Sequence, residues 1–372
     1  MESVFFLSQV DFNNKSDGVF KKTISQIEAF DKLGFRVVYF DYSSFLICDY
    51  LNKSKEQPYL AKGLIRRSVY WKTAHNYINK TPSFNYAFIR YSFFDINVFK
   101  TIKLLQKKGT KIILEIPTYP IIFSKLILKE KCLYLIDSFF RNRVSKYIYR
   151  LVYIGDKHDF IFGKKAFRIC NGFPTDLLRI EKTGFNYIGN VVNLISVSCM
   201  SESHGYERII EGLHLYYLNH PKAKVLVKLH LVGDGRCKKR YYDLVSKYNL
   251  EEYVFFYGRL FGEKLTELYS IATLGLGSFG LFKSGLNEIS SLKNKEYMIR
   301  GLPFVNGGKE IDVPDIFPYQ LTVPNNKEPV NIDSFVKFVS YLEKIGKKKI
   351  MNEMNSFAID NFSWEKIIKK IL

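Results

Sequence analysis

The sequence is poor in cysteine, in histidine clusters and in long apolar runs, and each shortage excludes a class of protein. It has five cysteines without any Cys-x-x-Cys pair, which argues against a disulfide framework and a structural zinc site: Cys48, Cys132, Cys170, Cys199 and Cys237. The histidines lack metal-ligand spacing and no Asp-x-Asp motif is evident, so we expect no bound metal. No stretch reaches the roughly 18 uninterrupted apolar residues of a membrane helix, and the N-terminus does not have the pattern of a signal peptide. These features predict a reducing, cytoplasmic location.

Acidic residues are also outnumbered, because 36 aspartates and glutamates face 56 lysines and arginines, for a net charge of +20. The excess is uneven. Residues 1–185 carry 31 basic against 16 acidic residues (net +15), whereas residues 186–372 carry 25 against 20 (net +5). A basic half indicates an acidic partner, of which nucleic acid and anionic membrane are the usual kinds. A solvated basic surface is the simpler explanation.

The 372 residues suffice for two domains, each with its own core. Apolar, β-prone segments alternate with segments of helical periodicity, as in strand 4–10 followed by helix 19–33, and strand 191–197 followed by helix 206–218. This alternation predicts an α/β protein made of two Rossmann-like, doubly wound domains. We place them at 1–175 and 186–350, followed by a helical segment, 351–372, that could cross back to the first domain. The expected ligand site is the cleft between the two domains, at the carboxyl ends of the strands.

Two glutamates, Glu288 and Glu296, lie eight positions apart in a predicted helix over residues 288–300. Eight residues are just over two helical turns, so both side chains would lie on nearly the same face. A loop of small residues precedes them, and the free N–H groups of a helix start attract phosphate. Gly301 and Pro303 would end the helix and open the next strand.

This segment resembles the E-x7-E motif of retaining glycosyltransferases of family 4, whose two facing Rossmann-like domains form the GT-B fold. Glu296, Gly301 and Pro303 reproduce the E-x4-G-x-P ending of that motif. Further segments similar to landmarks of the family follow in the expected order: 115–120, 171–172, 204–208, 231–235 and 256–259. The first and third of these resemble members that assemble bacterial polysaccharides.

The resemblance implies a retaining, metal-independent hexosyltransferase that uses a nucleoside-diphosphate sugar as donor. Glu288 would contact the donor sugar and Glu296 the ribose. The remaining residues predicted to contact the donor, mainly its pyrophosphate, are Ser290, Ser291, Lys293, Arg208, His204, Gly18 and Arg259. Glu115 and Thr118, at the end of a predicted strand, would join Glu288 as catalytic residues on the acceptor side.

One departure from the family concerns the charge that neutralises the pyrophosphate. The family commonly places arginine and lysine in the loop after the first strand of the second domain, where this chain has Cys199 and His204. A pyrophosphate needs a cation, so Arg208 and Lys293 are the nearest substitutes. His204 could equally be a helix-capping residue or a ligand contact.

The similarity to polysaccharide-assembly members implies a lipid-linked saccharide acceptor, for a capsule, exopolysaccharide or O-antigen, and a peripheral position on the inner face of the plasma membrane. The basic residues expected to meet anionic lipid are Lys62, Arg66, Arg67, Lys72, Lys125, Lys129, Lys131, Arg141, Arg143, Lys146 and Arg150. Two alternatives stay open: a nucleotide-sugar epimerase of the same architecture, and a basic nucleic-acid-binding protein whose only candidate patch is 62–72.

Overall fold

A computed structural model describes residues 1–13, 18–57, 66–121, 127–179 and 183–372. The chain divides into two compact units. Unit 1 comprises Met1–Gly172 together with Trp364–Leu372, and unit 2 comprises Phe173–Ser363. The C-terminal segment that belongs to unit 1 therefore starts at Trp364, later than the boundary at 351 that the sequence suggested.

Unit 1 is built around a nine-stranded sheet in the order β4-β3-β2-β1-β5-β6-β7-β9-β8. Its strands are β1 (Ser3–Leu7), β2 (Arg36–Asp41), β3 (Leu46–Asp49), β4 (Lys55–Glu56), β5 (Tyr86–Arg90), β6 (Lys111–Tyr119), β7 (Arg150–Gly155), β8 (Phe160–Ile161) and β9 (Lys164–Arg168). The central run from β2 to β9 pairs in parallel, whereas β3, β4 and β8 add antiparallel edges.

Helices cover this sheet because parallel strands need crossover connections. The helices of unit 1 are α1 (Gly18–Lys32), α2 (Arg66–Lys80), α3 (Ile96–Lys107), α4 (Leu128–Ser145) and, from the C-terminus, α11 (Trp364–Ile371). Asp95 caps α3 by accepting hydrogen bonds from the amides of Asn97 and Val98. The apolar faces of α2 and α3 pack on the strands in one continuous core.

Unit 2 contains a six-stranded, all-parallel sheet in the order β12-β11-β10-β13-β15-β17, which is the doubly wound order that reverses beside its first strand. Its strands are β10 (Val191–Val197), β11 (Leu226–Val232), β12 (Val254–Gly258), β13 (Leu274–Leu276), β15 (Phe304–Asn306) and β17 (Gln320–Thr322). A separate parallel pair consists of β14 (Glu288–Ile289) and β16 (Lys309–Glu310). The helices are α5 (Glu207–Asn219), α6 (Lys238–Lys247), α7 (Gly262–Ser270), α8 (Leu292–Arg300), α9 (Ile332–Ile345) and α10 (Lys347–Phe362).

One local prediction is wrong. The helix expected over 288–300 begins only at Leu292, because residues 288–289 pair with β16 instead, so Glu288 and Glu296 do not share a helix face. Strand β6 continues through Pro117 to Tyr119, with an irregularity in its pairing to β7 after Ile116 that accommodates the proline. Among the described residues, no helix is long and apolar enough to cross a membrane.

Candidate functional site

The carboxyl edge of the unit 2 sheet brings three chain segments together: the loop after β10, the loop after β13 and the start of α8. The loops after β10 and β13 also pack closely against the ends of neighbouring strands, which requires glycine. A Cβ atom on Gly233 would lie 1.9 Å from the carbonyl oxygen of Ser198, and one on Gly277 would lie 1.5 Å from the side-chain oxygen of Asn306. The strand order reverses between β10 and β13, which is where doubly wound sheets bind ligands.

Lys293 lies in the first turn of α8 and points its ammonium group at this edge. Its Nζ donates hydrogen bonds to the carbonyl oxygen of Gly277 at 2.6 Å and to the hydroxyl of Tyr206 at 2.9 Å. Both acceptors are neutral, and burial lowers the pKa of Lys293 to about 7. A cation in this setting gains most from an anionic ligand, because such a ligand supplies the charge that its acceptors lack.

The side chains of Tyr206 and His204 pack beside this ammonium group. The Tyr206 hydroxyl lies 3.0 Å from the hydroxyl of Ser198, and its ring stacks on His204 with centroids 5.6 Å apart. The Nδ1 atom of His204 accepts from the backbone N–H of Ser201 at 3.2 Å and lies 2.8 Å from its hydroxyl. Burial, and then the Lys293 ammonium, hold the pKa of His204 well below its usual value, so the ring is neutral and carries its proton on Nε2.

The start of α8 is held by a buried carboxylate. Ser291 is the N-cap residue, and its backbone N–H donates to Glu310 Oε1 at 2.9 Å. Glu310 also accepts from the side-chain amide of Asn294 at 2.6 Å and from the ammonium of Lys295 at 2.8 Å. The Ser291 amide predicted to bind pyrophosphate therefore already has an acceptor. The amides of the first turn, including that of Lys293, have no acceptor within the helix and point toward the same edge.

The two motif glutamates differ in environment. Glu288 is half-buried in β14, whereas Glu296 lies on α8, where its carboxylate accepts from Nε of Arg300 at 2.9 Å. The Arg300 guanidinium also lies over the ring of Tyr269, with 3.9 Å to the centroid. Glu296 is thus held in one orientation with about a fifth of its side chain exposed, at 21%.

Arg208, a predicted pyrophosphate contact, is buried and directed at backbone carbonyls. It donates to the oxygens of Glu328 at 2.6 Å, of Phe279 at 2.9 Å and of Pro324 at 2.9 Å, and to the side chain of Asn326 at 3.0 Å. These contacts indicate a structural role for Arg208 and leave Lys293 as the better-placed cation. Arg259 is exposed and follows β12 directly.

The candidate residues of unit 1 are split between core and surface. Glu115, predicted as catalytic, is fully buried and accepts from Lys22 at 2.8 Å, Gln26 at 3.0 Å and Arg90 at 3.2 Å. This places its carboxylate in a buried ion cluster rather than on an accessible surface. Thr118 is exposed, and Gly18 is the exposed first residue of α1.

The basic residues predicted to contact lipid fall into two groups, those in ion pairs and those exposed at the surface. Arg67 pairs with Asp95, and Arg141 pairs with the buried Asp137, so neither is an available surface charge. Lys72 is exposed. The exposed or partly exposed basic residues in and after α4 are Lys131, Arg143, Lys146 and Arg150. Lys62 and Lys125 lie outside the described residues, as does the side chain of Lys129.

The sequence analysis did not identify Glu310 and Lys295, which hold the start of α8. It also did not identify Asn325, which hydrogen-bonds to the backbone of the loop between β13 and α8. The sequence does contain one indication that Lys295 is buried, because this residue falls on the same helix face as the apolar Met298 and Ile299. A lysine on an apolar face needs a buried acceptor, although the pattern does not say which one. In the described parts of the chain, no cluster of histidine, cysteine, aspartate and glutamate could hold a metal ion.

The sequence matches no protein-family model and no curated protein. Solved structures do match the whole chain. A glycosyltransferase from Rickettsia africae has a TM-score of 0.64 at 14% identity, over 99% of this chain and 96% of that one. The catalytic domain of starch synthase IV from Arabidopsis thaliana, bound to ADP and acarbose, has a TM-score of 0.62 at 9% identity, over 100% and 98%.

Sucrose-phosphate synthase from Thermosynechococcus elongatus has a TM-score of 0.61 at 14% identity, over 100% of this chain and 97% of that one. At these identities the similarity establishes the fold. The predicted fold class, two Rossmann-like α/β units as in GT-B glycosyltransferases, is confirmed.

Proposed function

We propose that the protein is a glycosyltransferase that uses a nucleoside-diphosphate sugar. The observation that carries this proposal is Lys293: a partly buried cation with neutral hydrogen-bond acceptors, in the first turn of a helix, at the reversal point of a doubly wound sheet. Helix amides and an ammonium group together favour a diphosphate. The fold shared with enzymes of glycosyl transfer supports a sugar as the group attached to it.

In this proposal Lys293 and the first-turn amides of α8 hold the pyrophosphate, with neutral His204 donating from Nε2. Glu288 contacts the donor sugar and Glu296 the ribose, and the 258–261 turn with Arg259 flanks the base. The acceptor hydroxyl forms a bond to the anomeric carbon as the bond to the diphosphate breaks. The diphosphate leaves with the electron pair, and its departing oxygen takes up the proton that the hydroxyl loses. Positioning and stabilisation of that departing charge supply the catalysis, with retention at the anomeric carbon and without a metal.

The transferase is favoured over the two alternatives. The similar structures named above are a glycosyltransferase and two synthases, and the best-formed anion site faces the sheet edge of unit 2 rather than the basic surface of unit 1. The patch considered for nucleic acid is only partly described, and within it the Arg67 guanidinium is paired with Asp95.

A titration with nucleoside diphosphates tests the donor assignment without requiring the acceptor. We expect one of UDP, GDP, ADP, CDP and dTDP to bind in calorimetry with unchanged affinity in excess chelator, and its sugar conjugates to release the diphosphate slowly. Glu296→Gln should weaken this binding about threefold to tenfold, since an amide accepts ribose hydroxyls less strongly than a carboxylate. Glu288→Ala should lower turnover more than diphosphate affinity.

Several outcomes would contradict these assignments. No binding of any of the five diphosphates removes the donor site itself. Binding that is lost in chelator and restored by magnesium or manganese overturns metal independence. Equal affinity of wild type and Glu296→Gln removes Glu296 from the ribose contact.

We further propose a lipid-linked saccharide acceptor and a peripheral position on an anionic membrane. The support comes from the net charge of +15 in residues 1–185 and from the outward face of α4. Leu128, Leu135 and Phe139, spaced to lie along one side of that helix, are 80%, 62% and 59% exposed. An apolar stripe flanked by Lys131 and Arg143 has the character of a helix that lies in a membrane interface.

Vesicle sedimentation tests this position. Wild type should bind vesicles that contain anionic lipid and should dissociate as salt rises, because exposed charges are screened within about 8–10 Å at physiological ionic strength. Leu135→Asp with Phe139→Asp should weaken binding at least about tenfold, since each apolar side chain contributes roughly 1–3 kcal/mol when buried.

The matched control is Leu218→Asp, which changes an equally exposed leucine (60%) in unit 2 and should bind vesicles like wild type. Binding to neutral vesicles alone, or none at low salt, would leave the basic charge as a solvated surface.

A further inference from the structure

The loop that carries Glu288 is held in place by hydrogen bonds from side chains elsewhere in unit 2. It comprises residues 277–291, between β13 and α8, and is here named the donor loop. A short 3-10 turn over Leu281–Ser284 ends at Gly285, whose φ of 62° is in the left-handed region that favours glycine. The two-residue strand with Glu288 follows. Pairing with β16 holds the backbone of Glu288 from the side of α8, and the path by which the chain enters β14 depends on contacts made to the turn before it.

Asn325 clasps the donor loop at two points. Its Oδ1 accepts from the backbone N–H of Phe282 at 2.8 Å, and its Nδ2 donates to the carbonyl oxygen of Leu286 at 2.8 Å. One amide side chain thus fixes the start and the end of the turn that leads to Glu288, in the geometry by which a side-chain amide replaces a backbone partner.

Arg208 holds the segment that bears Asn325. Its guanidinium donates to the carbonyl oxygens of Pro324 and Glu328, on either side of Asn325, and to that of Phe279 in the donor loop itself. The arginine therefore joins segment 324–328 to the beginning of the donor loop. Because its donors are arranged in a rigid fork, these contacts set the separation of the two segments.

The far end of the donor loop is anchored separately. Glu310 accepts from the Ser291 amide, and the backbone N–H of Ile311 donates to the carbonyl oxygen of Ile289 at 2.7 Å. This second anchor already begins at Asn287, whose carbonyl oxygen accepts from the backbone N–H of Lys309 at 3.1 Å, so Glu288 directly follows the Asn325 contacts and Lys293 lies beyond both anchors. Loss of the Asn325 contacts should therefore change the path by which the chain enters β14, and with it the direction of the Glu288 side chain, while the anion-binding start of α8 keeps its place.

We infer that Asn325, held in place by Arg208, is the positioning residue that sets Glu288 against the donor sugar. This inference rests on the proposed function. It assigns to Arg208 a contribution to catalysis through Asn325 and the donor loop instead of through contact with the pyrophosphate. Neither residue touches the substrate.

The test compares Asn325→Ala, Glu288→Ala and the double variant, with the nucleotide sugar identified by titration. Asn325→Ala should lower kcat about tenfold to a hundredfold, because misplacement of a positioned group by about 1 Å costs up to that much. Its affinity for the nucleoside diphosphate should stay within about threefold. If Asn325 acts through Glu288, the double variant should be no more than about twofold slower than Glu288→Ala alone.

Gln320→Ala is the matched control. This amide lies in β17, on the same stretch of chain, and its Nε2 donates within its own strand to Thr322 Oγ1 at 3.1 Å. It should keep wild-type kcat. Asn325→Asp, which keeps an acceptor for the Phe282 amide but loses the donor to Leu286, should have intermediate kcat and serves if the alanine variant is insoluble.

The outcomes separate the inference from the proposed function. A wild type that binds no nucleoside diphosphate defeats the proposed function. An active wild type with an impaired Glu288→Ala and a fully active Asn325→Ala defeats only the inference. Additive losses in the double variant, equal losses of kcat and affinity, or insolubility of both Asn325 variants would show that Asn325 supports the fold in general, which also overturns it.

Discussion

Glu310→Ala is expected to lower the free energy of unfolding of unit 2 by about 3–5 kcal/mol, the usual cost of leaving a buried charge without its partner. The Glu310 carboxylate and the Lys295 ammonium lie 2.8 Å apart and are both fully buried. The ammonium also lies over the ring of Phe362, 3.7 Å from its centroid. Removing the carboxylate leaves this cation in an apolar setting and frees the Ser291 and Asn294 donors.

Thermal unfolding measures the effect. For a unit of this size about 1 kcal/mol corresponds to roughly 2–4 °C, so the midpoint should fall by about 6–20 °C. Lys295→Met should also destabilise. The double variant Lys295→Met with Glu310→Leu should lose less than the sum of the single variants, because it leaves no unpaired charge.

The neighbouring ion pair provides the control. Lys309 and Asp315 are 3.3 Å apart and largely exposed, at 49% and 77%. Exposed pairs contribute about 0–1 kcal/mol, so Asp315→Ala should change the midpoint by no more than about 2–4 °C. A Glu310→Ala protein as stable as Asp315→Ala would mean that the buried pair does not hold the start of α8.

Lys293→Met is expected to weaken binding of the nucleoside-diphosphate sugar about tenfold to a hundredfold, because charge-assisted hydrogen bonds to phosphate contribute about 1.5–3 kcal/mol each. The same lysine predicts a pH dependence. Burial lowers the pKa of Lys293 to about 7 in the free protein, and a bound diphosphate should raise it. Binding therefore takes up a proton above pH 7.

Affinity for the nucleotide sugar should therefore decrease as pH rises. The ammonium form predominates below pH 7 and is lost as pH rises, so wild-type affinity should be highest near pH 6 and fall about tenfold per unit once pH is well above 7. The fall should stop at the pKa of Lys293 in the complex. The pyrophosphate of a nucleotide sugar does not titrate in this range, because both of its phosphates are esterified.

Calorimetry between pH 6 and pH 9 measures this dependence. Lys293→Arg is the control, since guanidinium stays charged throughout and the slope should vanish while binding persists. A wild-type affinity that is flat over this range, or a Lys293→Met protein that binds like wild type, would remove Lys293 from the pyrophosphate site.

Much of the fold could be predicted from the sequence, because periodicity reports local backbone conformation and which face is buried. The strand expected over 191–197 is present at Val191–Val197, and the helix over 206–218 is present at Glu207–Asn219. The alternation of such segments leads to parallel sheets with covered faces, which both units contain. Gly301 ends α8 in the left-handed region, with a φ of 71°, as the motif suggested.

The helix start at Glu288 could not be predicted in the same way. Residues 288–300 have a helical pattern, yet β14 forms at their beginning because β16, 21 residues further along the chain, offers a pairing edge. Local propensity is a weak preference that tertiary contacts override. The same applies to Glu115, whose position at a strand end suggested access to ligand although α1 covers it with Lys22 and Gln26.

The sequence likewise identifies the cationic residues. It does not say which of them is free to contact a ligand. Arg208 and Lys293 were both candidates, and their neighbours distinguish them: Arg208 contacts three backbone carbonyls of segments distant in the chain, and Lys293 lies at a sheet edge. Residue type sets what a side chain can donate or accept. The partner that is present depends on which strands and loops the fold makes adjacent, so the partners of Asn325, Glu310 and Arg208 are properties of the tertiary structure alone.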